Sequence, residues 1–240
     1  MIKEALQYIV NLATPNVKEY GGEIYSDKPL HRIKHNPKAK AIEMSTLSSL
    51  VEYIRSNVDK FHGNTIIHVQ SPTRVQMYSS LDEDRIRETL VEVTAQVPSF
   101  DFNRFMDHEN FCIGMQSKCE NDETTDRALL LKFAGTVEAG SVAEYGDDGI
   151  SQKATVKTGI ASKGEALVPS PVRLRPYRTF IEVEQPVSAF VFRMNQDRSG
   201  GIQCALYEAD GGAWKIEAMT AIYEYLKAAL SDCPEFVVIS

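Results

Sequence analysis

The chain has 240 residues, of which 43% are hydrophobic and 25% are charged, and its formal net charge is −7. Such a composition can bury a core, so we predict one globular domain spanning residues 1–240. The negative charge excludes a general attraction to nucleic acid or anionic lipid, and binding of either would require a local basic patch.

The N-terminal residues and the cysteines indicate where the protein resides. The start, MIKEALQYIVNLA, carries Glu4 and lacks the pattern of a signal peptide. No apolar run approaches the roughly 20 residues needed to cross a bilayer. The four cysteines are too sparse for a disulfide framework, and we interpret them as thiols. These features predict a cytoplasmic protein with no membrane association.

Apolar spacing near the N-terminus predicts two helices. The first helix has one apolar face before Pro15, formed by Ile2, Leu6, Ile9, Val10 and Ala13. The second helix begins at Ser45 as N-cap and repeats apolar residues at Leu47, Leu50, Val51 and Ile54. Residues 14–40 are rich in glycine and proline, so we predict a loop there.

The middle of the chain mixes strand and helix signals. TIIHVQSPTRVQMYSSL predicts two strands around Ser71-Pro72, and Thr89 to Val97 predicts a third strand or a helix. Asp101 is a candidate cap for a helix that carries Phe102, Phe105, Met106 and Met115. A further helix is predicted from about Thr125, with inward residues Leu129, Leu130, Phe133 and Val137.

The remaining chain is strand-rich. Alternation after an Asp-Asp-Gly turn predicts a projecting β-hairpin over about 141–158, and residues 159–171 are predicted as a loop or hinge. Three strand candidates follow, in VRLRPYRTFIEVEQ, SAFVFRMNQD and GIQCALYEAD. A helix from Trp214 to Leu230 is expected to cover them. We therefore predict an α+β fold, with a mainly antiparallel sheet flanked by amphipathic helices.

The turn Asp210-Gly211-Gly212 joins the last of these strands to that helix. Glycine permits the positive φ that such a corner needs. The turn lacks the Lys, Ser or Thr of a phosphate-binding loop, and Glu208 and Asp210 would repel an anion. We interpret the turn as a structural corner.

Two long strings carry a family resemblance, LRPYRTFIEVEQPVSAFVFRM and ALYEADGGAWKIEA. They resemble the C-terminal half of the YfdQ-like proteins, a phage and prophage family of unknown function. Weaker similarity extends upstream through EYGDDGISQKATVKTGIASKGE to MSTLSSLVEYI, which covers most of the chain after about residue 40. The resemblance implies a phage or prophage origin and a bacterial host cell, and it carries over no catalytic residue.

The sequence gives only weak signals for a catalytic or metal site. No nucleophile motif is present, and the carboxylate pairs are those expected of solvated turns in an acidic protein. His31 with His35, and His108 with Cys112 and Cys119, have the spacing of metal ligands but no completing set. We predict no metal and no cofactor, although an enzyme with a site assembled from scattered residues remains an alternative.

Two basic patches support a second alternative, a nucleic-acid-binding accessory factor of phage replication or recombination. The candidate residues are Arg173, Arg175, Tyr177, Arg178, Lys34, Lys38 and Lys40. Arginines beside an aromatic ring can hold a phosphate or stack on a base. Equally, the arginines can pair with Glu182, Glu184 or acids of a neighbouring copy.

Uneven charge leads to the hypothesis that we place first, self-assembly into a ring-like or shell-like homo-oligomer. Residues 1–40 hold 7 basic and 4 acidic residues, whereas residues 82–126 hold 4 basic and 12 acidic residues. Opposed surfaces of this kind can guide head-to-tail contacts, or can satisfy each other within one subunit. The hairpin supplies the candidate contact residues Tyr145, Asp147, Asp148 and Ile150.

Overall fold

The computed structural model describes residues 2–30, 38–61, 63–144, 152–157 and 163–240. The chain folds into two compact units, Met1–Ala39 and Lys40–Ser240. The expectation of a single domain stays a prediction.

The N-terminal unit is one helix followed by one hairpin. Helix α1 spans Ile2–Ala13, as predicted. Strands β1 (Val17–Tyr20) and β2 (Glu23–Ser26) pair antiparallel, so the predicted loop over residues 14–40 is wrong in this part. Gly21 and Gly22 have φ angles of 61° and 84°, which is the left-handed backbone that a two-residue hairpin turn requires.

The second unit confirms the α+β fold. Its helices are α2 (Leu47–Ser56), α3 (His108–Lys118), α4 (Arg127–Thr136) and α5 (Ala213–Ala229). Its strands are β3 (Ile42–Met44), β4 (Thr65–Ser71), β5 (Arg74–Tyr78), β6 (Thr89–Thr94), β7 (Met106–Asp107), β8 (Val137–Glu144), β9 (Gln152–Lys157), β10 (Lys163–Leu167), β11 (Val172–Leu174), β12 (Ser188–Gln196), β13 (Ile202–Glu208) and β14 (Phe236–Ile239). Over the described ranges, no helix combines the length and apolarity needed to span a membrane.

One sheet has the strand order β14-β4-β5-β6-β3, with antiparallel pairing in its centre and parallel pairing at both edges. Alternate side chains of β4 and β5 point to one face, and α2 and α5 cover that face. Leu50, Ile67, Met77 and Ile222 are fully buried there. Thr89–Thr94 is therefore a strand, and the two strands around Ser71-Pro72 are confirmed.

A second sheet, β11-β12-β13-β7, is antiparallel and forms a separate core with α3 and α4. Phe111 of α3 stacks on Phe192 of β12 with ring centroids 5.4 Å apart, and both rings are fully buried. Burying a side chain of this size stabilises the fold by about 1.5–3 kcal/mol. This sheet carries the elements around the candidate sites.

The predicted hairpin is present as β8 and β9, and a third strand joins it. Strand β10 pairs antiparallel with β9, so part of the predicted hinge over residues 159–171 is a strand. The amide of Gln152 both donates to and accepts from the backbone of Met194, at 3.2 and 3.1 Å. The hairpin is thereby attached to β12 at the first residue of β9. The predicted contact residues Tyr145, Asp147, Asp148 and Ile150 lie outside the described residues.

Three other predicted elements differ from the structure. The helix expected from Asp101 begins instead at His108, because Asp107 accepts a hydrogen bond from the N–H of Asn110 at 2.9 Å and caps it there. Helix α4 points Leu130 inward but leaves Leu129 exposed. The strand expected from VRLRPYRTFIEVEQ is confined to Val172–Leu174.

Candidate functional site

Arg178, one of the predicted nucleic-acid-binding residues, is buried rather than presented to solvent. Its guanidinium carbon lies 4.0 Å from the centroid of the Trp214 ring, and Nη1 donates to Glu208 Oε1 at 2.8 Å. Nη2 donates to the hydroxyl of Ser188. Burial lowers the pKa of Arg178, and the carboxylates of Glu208 and Asp210 oppose that shift. The cation therefore stabilises a structural cluster and is not available to a phosphate.

The Gly-Gly corner stands beside this cluster. Gly212 has φ 83° at the start of α5, and Asp210 Oδ1 accepts its N–H at 2.9 Å. Burial raises the pKa of Asp210, but hydrogen bonds from Ser188 and Gly212 and the charge of Arg178 bring the net pKa below its usual value. The corner joins β13 to α5. The sequence predicts that this helix covers the strands of the C-terminal half, but α5 packs against β4 and β14 of the other sheet, so that expectation is wrong.

Arg175 is also occupied by carboxylates. Its guanidinium lies 3.0 Å from Asp122, 3.1 Å from Glu184 and 3.7 Å from Glu120. Pairing with Glu184 is the alternative to nucleic-acid binding that the sequence left open for this arginine. Because three acids surround this arginine, a phosphate would meet local repulsion.

The remaining candidate residues differ in exposure and pairing. Arg173 is exposed, and its backbone N–H donates to Asp126 at 2.7 Å. The hydroxyl-bearing Tyr177 is half-buried. Lys40 pairs with Glu43 at 3.5 Å on the surface, Lys38 is exposed, and Lys34 lies outside the described residues.

The candidate set His108, Cys112 and Cys119 does not form a metal centre. His108 Nε2 lies 3.0 Å from the carbonyl of Ala134 and 3.6 Å from Cys112 Sγ, while Cys119 instead contacts Met115. Burial raises the pKa of Cys119 to about 11. In the ranges for which the structure gives positions, no group of three or more His, Cys, Asp or Glu side chains could hold a metal ion. His31 and His35 fall outside those ranges.

A cleft of about 710 Å³ is lined by residues of β3 and β6 and of the segments that follow these two strands. Glu43 and Glu92 line it. However, Glu92 accepts from Arg74 at 2.8 Å and from Gln76 at 3.0 Å, so it is neutralised and hydrogen-bonded on the sheet face. This arrangement is that of a structural ion pair, and nothing about it favours an acid–base role.

The N-terminal unit presents the feature that sequence reasoning missed, an apolar surface without a core. Ile2 is 81% exposed, Ile9 is 61% exposed and Tyr20 of the hairpin is 76% exposed. Among the described side chains of this unit, none is buried. The apolar stripe of α1 was visible in the sequence, but periodicity alone cannot show whether a stripe meets a core of its own chain.

Polar contacts join the end of the hairpin to the C-terminal end of α1. Lys28 donates through Nζ to the carbonyls of Leu12 and Thr14, and Asp27 accepts the N–H of Asn16 at 2.7 Å. A lysine at the C-terminus of a helix satisfies free carbonyls and complements the helix dipole. The hairpin is thus fastened to α1 by polar groups, while the apolar side chains remain exposed.

No family model, curated protein or solved structure matches this chain. The resemblance to the YfdQ-like proteins therefore stays a prediction from the sequence.

Proposed function

We propose that this is a non-enzymatic protein of phage or prophage origin that acts through homo-oligomeric self-assembly, and that the N-terminal unit makes the contact between copies. The observation that carries the proposal is the exposed apolar face of α1 and its hairpin. The assembly is a closed ring or shell.

The N-terminal unit needs another surface for physical reasons. An isolated helix of fewer than about 12–15 residues is marginal in water, and so is a lone two-stranded hairpin. Chains below about 40 residues rarely bury enough apolar area to be stable by themselves. Covering Ile2, Leu6 and Ile9 would supply the missing burial.

Charge supports a second copy as the covering surface. Residues 1–39 hold 6 basic and 4 acidic residues, a net charge of +2, whereas residues 40–240 hold 20 basic and 29 acidic residues, a net charge of −9. The N-terminal unit, which is apolar and positively charged, is therefore attracted to residues 40–240 of another copy. Contacts between two different surfaces are heterologous, and they form closed rings or shells when the rotation between copies closes.

The sequence supports the origin and the compartment in this proposal. The resemblance to the YfdQ-like proteins favours a phage or prophage gene, and the four cysteines are free thiols, which suits the reducing cytoplasm of a bacterial host.

A matched pair of variants tests the proposal. Ile9→Asp places a charge on the apolar face of α1, and Gln7→Asp places the same charge on its polar face. Light scattering should give the mass of a single chain for Ile9→Asp and the unmodified assembly for Gln7→Asp. Equal masses for the two variants would contradict a role for the apolar face.

A further inference from the structure

We infer that strand β14 pairs antiparallel with β14 of a second copy about a twofold axis at Val238, so that two five-stranded sheets become one. This inference rests on the proposed function, because it supplies the same assembly with a second contact. Heterologous contacts close a ring, and a contact between equivalent surfaces joins two such rings.

Strand β14 leaves one row of backbone groups without a partner strand in the part of the chain that the structure describes. It lies at the edge of its sheet and pairs in parallel with β4. The N–H of Thr65 donates to the carbonyl of Glu235 at 2.9 Å. Because backbone groups alternate in direction along a strand, those of Val237 and Ile239 face β4, whereas those of Val238 face the open edge.

The side chains of β14 divide between the core and an exposed face. Phe236 is buried, and Val238 is partly buried against the same core. On the opposite face, Val237 and Ile239 are 45% and 43% exposed. The strand, FVVI, holds no charged residue and no proline, which are features by which edge strands avoid pairing with other chains.

The other edges of the two sheets that form cores are shorter or occupied. Strand β3 has three residues and includes Glu43, which pairs with Lys40 at 3.5 Å, and β7 has two residues. On β11, the N–H of Arg173 donates to the Asp126 carboxylate at 2.7 Å, and its carbonyl accepts the N–H of Asp126 at 2.8 Å. Among the described edges of these sheets, β14 alone combines four residues, an uncharged sequence and open backbone groups.

A second β14 has the groups that match this edge. With a twofold axis at Val238, the N–H and carbonyl of this residue exchange hydrogen bonds with those of the same residue in the second copy. At each end, the carbonyl of Phe236 accepts the N–H of Ser240. Val237 then lies opposite Ile239 on the exposed face, where apolar cross-strand pairs stabilise a sheet. Each copy thereby covers the exposed apolar side chains of the other.

The contact is small, which makes it depend on α1. Each copy contributes 4 residues, far fewer than the roughly 20–30 residues a side of a standard protein interface. We therefore expect β14 to pair only between copies whose effective concentration is raised by the α1 contact. A chain in which the α1 contact is broken should lose the β14 contact as well.

Disulfide cross-linking of the full-length chain tests the pairing and its register. Cys112 and Cys233 are first replaced by serine, since both are partly exposed. Val237→Cys and Ile239→Cys in one chain then place thiols at opposed positions, with Cα atoms about 4.5 Å apart, which suits a disulfide. After diamide oxidises the thiols, most chains should run as covalent dimers in a denaturing, non-reducing gel.

The single variants control for register and for random collision. In Val237→Cys or Ile239→Cys alone, the two thiols lie diagonally, with Cα atoms roughly 7–8 Å apart, so each should give at least tenfold less dimer than the double variant. Ser231→Cys places an exposed thiol before the strand and should give as little. Adding Ile9→Asp to the double variant should abolish its dimer.

The outcomes separate the two claims. If the chain assembles in light scattering but the double variant gives no more dimer than Ser231→Cys, the β14 contact is wrong and the role of α1 stands. If a single variant cross-links as well as the double variant, the twofold register at Val238 is wrong. If the dimer persists with Ile9→Asp, β14 joins the copies without α1, and the dependence on α1 is wrong. A single-chain mass at every concentration, with no cross-linked dimer, would overturn both claims.

Discussion

Arg178 shows how a single charged residue contributes to this fold from a buried position. The side chain is 8% exposed and is held between the Trp214 ring and Glu208. Removing one partner of such a pair leaves the other charge uncompensated, which is the costly way to break an ion pair. The cluster therefore stabilises the junction between β13 and α5.

Replacing Arg178 by Ala should lower the free energy of unfolding by about 3 kcal/mol, because Glu208 loses its partner and Trp214 its packing. Arg173→Ala is the matched control, since that side chain is exposed, and it should change stability by less than about 0.5 kcal/mol. Urea unfolding of both variants measures the difference. Equal losses of unfolding free energy in the two variants would show that Arg178 is not the centre of the cluster.

Gly212 permits a second residue-level prediction. Its φ of 83° is strained for any residue with a Cβ, so Gly212→Ala should cost about 1 kcal/mol. In α4, Gly135→Ala meets open space, so the same change should be neutral or stabilise by up to about 1 kcal/mol. In thermal unfolding, Gly212→Ala should melt below the unmodified chain, and Gly135→Ala should melt at the same temperature or above it.

Cys119 predicts a pH dependence. Burial raises the pKa of its thiol from 9.0 to about 11, so the folded chain keeps a proton that the unfolded chain loses. Stability should therefore be unaffected below pH 9.0 and should fall as the pH rises from 9.0 towards about 11. Cys119→Ala should reduce this slope in urea unfolding, and an unchanged slope would contradict the assignment.

The residue roles were only partly predictable. The strand predicted in VRLRPYRTFIEVEQ ends early, because β11 stops at Leu174 and Pro176 follows. Beyond that point, spacing in the sequence no longer tells which arginine faces inward. The charge pairing of Arg175 with Glu184 was foreseeable from opposite charges, whereas its contacts with Glu120 and Asp122 require the fold.

At the scale of elements, strong apolar periodicity was sufficient to predict a helix or strand from the sequence, whereas weak local signals were not. Six elements appear where they were predicted: α1, α2, β4, β5, β12 and β13. Each repeats apolar residues over seven or more positions or lies next to a clear turn. The hairpin β1–β2 has no buried face and so lacks an alternating pattern. Strand β10 pairs with the preceding strand β9, but its sequence, KGEAL, lacks the apolar alternation that would have predicted a strand.

The start of α2 offers a test at this scale. The sequence indicated Ser45 as N-cap, but Thr46 occupies that position, with its hydroxyl accepting from the N–H of Ser49 at 3.2 Å. Thr46→Ala should therefore destabilise the protein by about 1 kcal/mol, and Ser45→Ala by a few tenths at most. Chemical unfolding of the two variants would contradict the assignment if Ser45→Ala were the costlier change.

At the scale of the whole molecule, the chain combines two cores in residues 40–240 with an N-terminal unit whose described side chains are not buried. A face that is apolar and open in one copy is expected to be covered in the functioning protein. Opposite net charges of the two parts of the sequence favour covering by another copy.

Sedimentation velocity of the unmodified, full-length protein over a wide range of concentrations tests this claim most directly. Self-assembly predicts a mass that rises above 26.8 kDa with concentration and levels off at a fixed multiple, as a closed ring or shell requires. A mass of 26.8 kDa at every concentration would contradict the account.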